Sequence, residues 1–192
     1  MTEDQNIINL LAKAHLDNVP ENNLSKKLGL NYVKIFYKLV LESQNSKILY
    51  TLNNNEIESS VVIFTNYDAF NQEMAKKIKF KIFLDLISFN LPISSIFDRI
   101  RKKINEKKAF KLISNKCHLG FFFANKIFKP DSGIALKKNL EKLHSYALEN
   151  NCSNIWGVVN YDNIKGEKFM TKLGYYVFFK SHGEIYLNKK LK

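Results

Sequence analysis

The chain has 192 residues, of which 45% are hydrophobic and 25% are charged, and its formal net charge is +12. This composition excludes a globally disordered chain, and the length fits one α/β domain with a full core. Arg99 and Arg101 are the only arginines, whereas proteins that read nucleic-acid sequence favour the planar fork of arginine. The positive charge therefore does not favour a nucleic-acid partner.

Features of the whole chain also bear on its location. The two cysteines, Cys117 and Cys152, form no close-spaced pair that suggests a metal site or a redox motif. The chain opens with acidic residues rather than the basic segment of a secretory signal. The most apolar stretch, residues 82–97, is interrupted by polar residues and is too short to span a bilayer. We therefore expect a cytoplasmic protein with no metal and no transmembrane segment, and its oligomeric state is left open.

The first elements predicted along the chain are two helices and a hairpin. Apolar residues recur at helical spacing over residues 4–16 and again over Leu30–Ser43. The apolar segments KILYTL and ESSVVIFT flank the turn-rich NNNE, which is typical of a β-hairpin.

Residues 67–110 are predicted to form a helical insertion. Asp68–Phe89 and Ile93–Lys107 each read as a helix, and Pro92 interrupts the pattern between them. We interpret this segment as a lid over a second substrate, or as a surface that contacts a membrane or a protein partner.

The second half of the chain has a regular order of elements. They are a strand at His118–Phe128, a helix at Gly133–Asn150, a strand at Asn154–Asn160, a helix at Asn163–Leu173 and a closing hairpin of Tyr175–Lys180 with Glu184–Asn188. A βαβ unit after antiparallel strands predicts an α/β (α+β) fold whose mixed, mostly antiparallel sheet has helices on both faces. No repeat or linker divides the chain, so residues 1–192 are predicted to form a single domain.

One motif between the strand and the helix has the chemistry of an anion site. The segment FKPDSGIALKKNL places Gly133 near the start of a helix, with Lys129, Lys137 and Lys138 around it. The first turn of a helix presents unpaired N–H groups and the positive end of the helix dipole, and glycine lets a ligand approach the backbone. The motif therefore suits a phosphate or pyrophosphate.

A second motif follows one helix and one strand later, and together the two resemble the GNAT superfamily. The segment NIKGEKFMTKLGY is similar to that family's last characteristic block, and the segment around Gly133 and Ala135 is similar to its phosphate loop. The matching positions in the block are Asn163, Gly166, Phe169, Lys172, Gly174 and Tyr175.

The resemblance implies an enzyme of the N-acetyltransferase type. It would move an acetyl or other short acyl group from acetyl-CoA or another acyl-CoA to an amine of a small molecule or nucleotide sugar. The segment AHLDNVPENNLSKKLGLNYVKIFYKLV resembles the acceptor-side helices of one GNAT subgroup, and this likeness is the basis for the small-molecule acceptor. The implied cofactor-binding residues are Phe123, Ala124, Asn125, Ser132, Gly133, Ile134, Ala135, Leu136, Asn163, Phe169 and Met170.

Two positions depart from the family pattern. The loop's usual Arg or Gln is Pro130, which has no side-chain donor and no backbone N–H. The Tyr that often protonates the departing thiolate is Met170, which cannot donate a proton. Tyr161, Tyr175, Tyr176 or water would have to replace it. These departures motivate an alternative, in which the chain is a coenzyme A-binding or regulatory module without catalysis.

The general base is the least defined part of the predicted site. If Ala124 holds the carbonyl oxygen, the family's carboxylate position falls on His118, which can accept a proton near neutral pH. A strand-end histidine that is satisfied by a hydrogen bond is the structural alternative for His118. Glu56, Glu58 and Asp68 are further candidates for the base.

Overall fold

The computed structural model describes residues 3–21, 23–87, 101, 104–105, 108–109, 117–181 and 183–191. Helices with bounds in this part of the chain are α1 (Glu3–Asn18), α2 (Leu24–Glu42), α3 (Tyr67–Ile87), α4 (Asp131–Glu149) and α5 (Ile164–Lys172). The strands are β1 (Ser46–Asn53), β2 (Glu56–Phe64), β3 (His118–Ala124), β4 (Asn154–Asn160), β5 (Tyr176–Ser181) and β6 (Glu184–Lys190). None of the helices in these ranges is long and apolar enough to cross a membrane.

The six strands form one sheet in the order β1-β2-β3-β4-β6-β5. Every neighbouring pair is antiparallel except β3 and β4, which run parallel. A parallel pair needs a crossover connection, and α4 provides it. The predicted mixed and mostly antiparallel sheet is therefore confirmed.

Helices cover both faces of the sheet, as the sequence predicted. On one face α1 and α2 pack over a core that includes the large side chains of Tyr37, Phe64, Phe70, Trp156 and Tyr186. On the other face α4 and α5 pack over a second core that includes Leu140, Leu143, Ile155, Met170 and Leu187. Each helix buries an apolar stripe against the sheet, and burial of that stripe is the main stabilising contribution.

The predicted hairpin of β1 and β2 is present, and its turn has a clear chemical cause. Asn54 and Asn55 occupy the two central positions with φ of 50° and 62°. A two-residue turn with positive φ at both positions matches the twist of the flanking strands, and asparagine is among the residues that tolerate it.

Helix α2 begins six residues before the predicted start at Leu30. The side chain of Asn23 accepts a hydrogen bond from the backbone N–H of Ser25, which stabilises an additional first turn. Gly29 then interrupts the helix with φ of 78° and ψ of −179°. The break at Gly29 explains why the apolar periodicity was visible only from Leu30 onward.

The junction of β3 and α4 also differs from the prediction. The strand ends at Ala124 rather than Phe128, because the side chain of Asn125 caps a 3₁₀ turn over Lys126–Phe128 by accepting from the N–H of Ile127. Helix α4 begins at Asp131, so that Gly133 lies inside its first turn. The connection between strand and helix is therefore short and ordered.

The helical insertion is described only in part. Helix α3 confirms the first predicted helix as far as Ile87. The second predicted helix, Ile93–Lys107, lies largely outside the described residues, and its described positions Arg101, Ile104 and Asn105 are helical.

Candidate functional site

The parallel strands β3 and β4 separate shortly after they begin. They pair only at His118 with Trp156 and at Leu119 with Gly157. Beyond these positions β3 stays paired with β2 as far as Ala124, and β4 stays paired with β6 as far as Asn160. The sheet therefore divides into two halves, and we call the space between the diverging ends of β3 and β4 the split.

A β-bulge lies in β3 at the point where the split opens. Gly120 and Phe121 together stand opposite Val62 of β2, since the pairing register shifts between Val61 and Ile63. Phe64 occupies the space beside Gly120, because a Cβ at Gly120 would lie 2.5 Å from Phe64 Cε2. Bulges bend a strand and disrupt the ladder locally, and this one turns β3 away from β4.

The backbone of β3 presents specific amides to the split. The N–H of Asn125 donates to the carbonyl of Glu58 on β2 at 2.8 Å. Because successive residues of an antiparallel strand point their N–H groups to opposite sides, Phe123 also faces β2, whereas Phe122 and Ala124 face the split. Among the predicted donors Phe123, Ala124 and Asn125, only Ala124 presents its N–H there, and Phe122 was not predicted. The side chain of Asn125 is also engaged, through Ile57 and Ile127.

Helix α4 starts at the open end of the split, but fewer amides are free there than the sequence predicted. Pro130 is the N-cap, and Gly133 donates its N–H to the Pro130 carbonyl at 3.1 Å. From Ile134 onward the N–H groups, including those of Ala135 and Leu136, enter the helical ladder. Asp131 and Ser132 therefore supply the free donors of the first turn. Asp131 places its own carboxylate at the positive end of the helix.

Two features near the start of α4 fit a phosphate group. Ser132 is buried, and its Oγ has no hydrogen-bond partner among the described residues. Gly133 has open space where a Cβ would stand, with no heavy atom within 4 Å. The helical backbone conformation of Gly133 is open to any residue. The absence of a side chain there therefore matters only because it lets a ligand approach the backbone.

Apolar and basic side chains surround the open end of the split. Because β3 and β4 are parallel, the segments that follow both strands meet at this edge. Exposed apolar residues in these segments are Ile127 (77% exposed), Ile134 (55%), Tyr161 (44%) and Ile164 (58%). Exposed lysines in the same segments and in the N-terminal halves of α4 and α5 are Lys126, Lys129, Lys137, Lys138, Lys165 and Lys168. This edge suits a ligand that combines an apolar body with negative charge.

The positions of the second motif that match the family block have structural roles in α5. Asn163 caps the helix by accepting from the N–H of Gly166 at 2.9 Å. A Cβ at Gly166 would lie 2.5 Å from Asn163 Nδ2, so the cap needs a residue without a side chain there. Phe169 is half-buried, and Met170 is 1% exposed inside the core under α4 and α5. Burial in the core leaves Met170 no direct access to a ligand.

His118 lies at the closed end of the split, inside an aromatic cluster. Its ring centroid is 3.9 Å from that of Trp156, 4.3 Å from Tyr67 and 5.9 Å from Phe64. Six residues separate His118 from Ala124, which corresponds to roughly 20 Å along a strand. A general base must reach its proton directly or through one water, so His118 does not fit a carbonyl held at Ala124.

Tyr175 does not reach the split either. It is 2% exposed, and its hydroxyl lies 2.8 Å from Nε2 of His144. The other ring nitrogen of His144, Nδ1, lies 3.3 Å from Lys189 Nζ. Burial, with a smaller contribution from Cys117, raises the pKa of Tyr175 far above its usual range. The sequence-based hypothesis that Tyr175 is the general acid is therefore not supported, because this hydroxyl belongs to a polar cluster inside the core.

The remaining candidates differ in position. Tyr161 follows β4 at the open end of the split, whereas Tyr176 lies on the outer strand β5, where its hydroxyl accepts from Asn188. Glu58 is buried, and its backbone carbonyl accepts from the N–H of Asn125, the residue after Ala124. Glu56 and Asp68 are exposed. Position therefore favours Tyr161 among the tyrosines.

No metal centre is apparent in the part of the chain that the structure describes, since no three His, Cys, Asp or Glu side chains lie close enough to hold an ion. The two cysteines, which are far apart in sequence, do meet. Cys117 and Cys152 precede β3 and β4 and are both buried. Burial, followed by the effect of the neighbouring Cys152, raises the pKa of Cys117.

Comparison with known proteins identifies the fold. No family model matches the sequence, and no curated protein matches it. Among solved structures, the chain is similar to the protein PH1933 of Pyrococcus horikoshii OT3, with 11% identity over 100% of this chain and 94% of that chain and a TM-score of 0.58. It is also similar to an N-acetyltransferase of Staphylococcus aureus Mu50, with 9% identity over 99% of this chain and 94% of that one and a TM-score of 0.57.

A third similar structure is the PaiA N-acetyltransferase of Thermoplasma acidophilum in complex with coenzyme A. The identity is 10%, the coverage is 98% of this chain and 92% of that chain, and the TM-score is 0.56. At these identities the likeness establishes the fold and leaves the activity to be argued from the site. The protein has the fold of the GNAT N-acetyltransferases.

Proposed function

We propose that the protein is an acyl-CoA-dependent N-acyltransferase that moves an acetyl or other short acyl group to an amine of a small molecule or nucleotide sugar. The observation that carries this proposal is the split between β3 and β4, into which the N–H groups of Phe122 and Ala124 point. An unpaired strand edge binds an extended chain of amides as an added strand does. The pantetheine arm of coenzyme A is such a chain.

The same edge supplies what the chemical step needs. The carbonyl carbon of the thioester becomes tetrahedral when the amine attacks, and its oxygen becomes an anion. A backbone N–H held by a rigid strand stabilises that anion without reorganisation, and Ala124 is the donor we assign to this role. The coenzyme supplies the activated acyl group, and the protein orients it and accepts or donates the protons.

The charged end of the cofactor would lie at the start of α4. The N–H groups of Asp131 and Ser132, the unpaired hydroxyl of Ser132 and the open space at Gly133 form the proposed phosphate contact. The exposed lysines of this edge add favourable long-range attraction for an anion. The similar Thermoplasma acidophilum protein, which was crystallised with coenzyme A, supports this assignment.

The proton that the departing thiolate takes up has one favoured source on this chain. Tyr161 is exposed at the open end of the split, and Lys180 Nζ lies 5.5 Å from its ring centroid. We assign Tyr161 as the general acid in place of Met170 and Tyr175, which are both held in the core.

A second candidate function is coenzyme A binding without catalysis. The burial of Met170 and the hydrogen bond between Tyr175 and His144 favour it, because neither side chain can give a proton to a thiolate in the split. A transfer assay separates the two functions. Acetyl-CoA is supplied with a panel of primary amines, including amino sugars and nucleotide-linked amino sugars, and thiol release is followed.

For an enzyme, we expect amine-dependent thiol release that falls at least about tenfold in Tyr161→Phe and stays near the wild-type rate in Tyr176→Phe. If acetyl-CoA binds but no amine in the panel causes thiol release, the result would support coenzyme A binding without catalysis. Equal activity in both tyrosine variants would exclude Tyr161 as the acid.

A further inference from the structure

Three polar side chains form a continuous hydrogen-bonded chain on the α1 and α2 face of the sheet. His15 Nδ1 lies 3.1 Å from the hydroxyl of Tyr37, and His15 Nε2 lies 3.0 Å from Oγ of Ser25. His15 is 5% exposed and Tyr37 is fully buried, whereas Ser25 is only partly buried. The chain of hydrogen bonds therefore leads from the core to the beginning of α2, where Ser25 is half-buried.

This chain of side chains borders the split. The ring of His15 stacks on that of Phe121, with centroids 3.8 Å apart and an interplanar angle of 23°. Phe121 belongs to the bulge of β3, and the two residues whose N–H groups face the split, Phe122 and Ala124, follow it directly. Three residues of strand correspond to about 10 Å, so His15 packs on the strand that would hold the acyl group, about 10 Å from Ala124.

The protonation states of the three groups leave His15 with one free acceptor nitrogen. Burial lowers the pKa of His15 to about 4, so its imidazole is neutral at physiological pH. Burial also raises the pKa of Tyr37, so its hydroxyl stays protonated. A neutral imidazole has one donor and one acceptor nitrogen. With its proton on Nδ1, His15 donates a hydrogen bond to the Tyr37 hydroxyl, and its Nε2 accepts a hydrogen bond from the Ser25 hydroxyl.

Building on the proposed acyl transfer, we propose that the Ser25 hydroxyl contacts the attacking amine and that His15 and Tyr37 position it, so that the three side chains form the proton relay for the acceptor. As the amine nitrogen forms its bond to the thioester carbonyl carbon, its proton passes to Ser25 Oγ. The proton of Ser25 passes at the same time to His15 Nε2. The carbon–sulfur bond then breaks, and the thiolate takes a proton from Tyr161. The imidazolium returns one proton through water to the solvent, and the exposed phenolate of Tyr161 takes one proton back from the solvent. The net result is an amide and a free thiol.

The geometry distinguishes this relay from a simple base on the strand. A weak acid is activated for proton loss by an adjacent histidine that a third group orients. Here the weak acid is a hydroxyl that hydrogen-bonds the histidine. His118 is too far along β3 for that task, and Glu58 is the competing base because it is buried next to the strand end.

The test uses the purified full chain with acetyl-CoA and two acyl acceptors. Water serves as one acceptor, through hydrolysis of acetyl-CoA, and 2-aminoethanol serves as the probe amine. We expect Ser25→Ala to lower kcat for both reactions by at least about 10²-fold, the usual contribution of acid–base catalysis, with an unchanged KM for acetyl-CoA. Ser25→Thr retains the hydroxyl and should restore activity to within about tenfold of the wild type.

Matched controls separate the relay from a loss of structure. Ser145→Ala removes a hydroxyl from the exposed side of α4, and it should leave kcat unchanged. His15→Gln should lose activity, whereas His144→Gln, which changes an equally buried histidine bonded to a tyrosine on the opposite face, should not. Tyr37→Phe keeps the aromatic packing of His15 and should shift the pH profile of kcat.

Several results would overturn the relay. Wild-type kcat in Ser25→Ala would do so, as would a loss of activity confined to Glu58→Gln. Acetyl-CoA that binds the wild-type protein but is neither hydrolysed nor transferred would refute the relay and leave the proposed binding site intact. If calorimetry detects no acetyl-CoA binding, the proposed function fails, and the relay fails with it.

Discussion

The two buried histidines should make the protein lose stability as the pH falls from 7.5 to 5. His15 is 5% exposed and His144 is 9% exposed. Burial lowers the pKa of each to about 4 in the folded protein, with a further contribution from Lys189 at His144. In the unfolded chain both titrate near their ordinary value of about 6.5. The unfolded chain therefore takes up protons that the folded protein refuses, and the stability present above pH 6.5 is lost as the pH falls towards 4.

The magnitude follows from the two pKa values. For one histidine whose pKa is about 4 when folded and about 6.5 when unfolded, the free energy of unfolding is ~2 kcal/mol lower at pH 5 than at pH 7.5. The two sites lie on opposite faces of the sheet, so their effects should add to ~4 kcal/mol. That loss is a large part of the stability of an ordinary domain.

Urea unfolding followed by tryptophan fluorescence measures this effect. Trp156 is the only tryptophan and is 1% exposed, so its emission reports on the core. His15→Gln and His144→Gln should each be less stable than the wild type at pH 7.5 and should each lose about half of the pH dependence. A wild-type free energy of unfolding that is equal at pH 7.5 and pH 5 would show that the buried histidines do not resist protonation, as would a double variant that keeps the full pH dependence.

Three further predictions concern backbone positions, all measured by urea unfolding against Ser145→Ala, which should change the free energy of unfolding by no more than ~0.5 kcal/mol. Asn163→Ala removes the cap of α5 and should cost ~1 kcal/mol; no loss would mean that the cap bond contributes nothing. Gly174→Ala forces a side chain onto φ of 86° and should cost ~1 kcal/mol or more; a stabilised variant would contradict that conformation. Gly120→Ala would place a Cβ 2.5 Å from the ring of Phe64 and should cost ~1–3 kcal/mol, and a neutral effect would contradict the close contact at the bulge.

Local patterns in the second half of the chain predicted its structure closely. The helices that became α4 and α5 carry apolar residues at helical spacing, and the strands between them are short apolar runs. Gly174 follows the end of α5 in a left-handed conformation that glycine adopts readily, with the N–H of Tyr175 bonded to the carbonyl of Met170. Signals of this kind act over a few neighbouring residues, so they can be recognised without the fold.

The split itself could not be predicted from the sequence. Gly120 inside an apolar strand was the one local sign of a bulge, but which strand β3 would leave depends on the order of the whole sheet. The direction of each N–H also depends on the pairing register with β2, which is why Phe122 was missed and Asn125 was included. A register cannot be read from one strand.

Contacts between residues far apart in the sequence were the second feature that could not be predicted. His15 and Tyr37 are 22 positions apart, and His144 and Tyr175 are 31 apart, yet each pair is joined by a hydrogen bond in the core. Nothing in the local sequence distinguishes a buried, bonded histidine from an exposed one. Tyr175 was therefore assigned a catalytic role that its burial does not support, and the relay at His15 was not recognised.

The most direct test of the proposed acyl-donor site is a calorimetric titration of the purified protein with acetyl-CoA and free coenzyme A, with ATP as a control anion. We expect saturable binding of both coenzyme A ligands at one site. Binding should be lost in Gly133→Glu, where the new carboxylate enters the open space at the start of α4. It should persist in Ser145→Glu, which adds the same charge ~18 Å farther along that helix. No binding to the wild-type protein, or equal binding in both variants, would contradict a coenzyme A site at the start of α4.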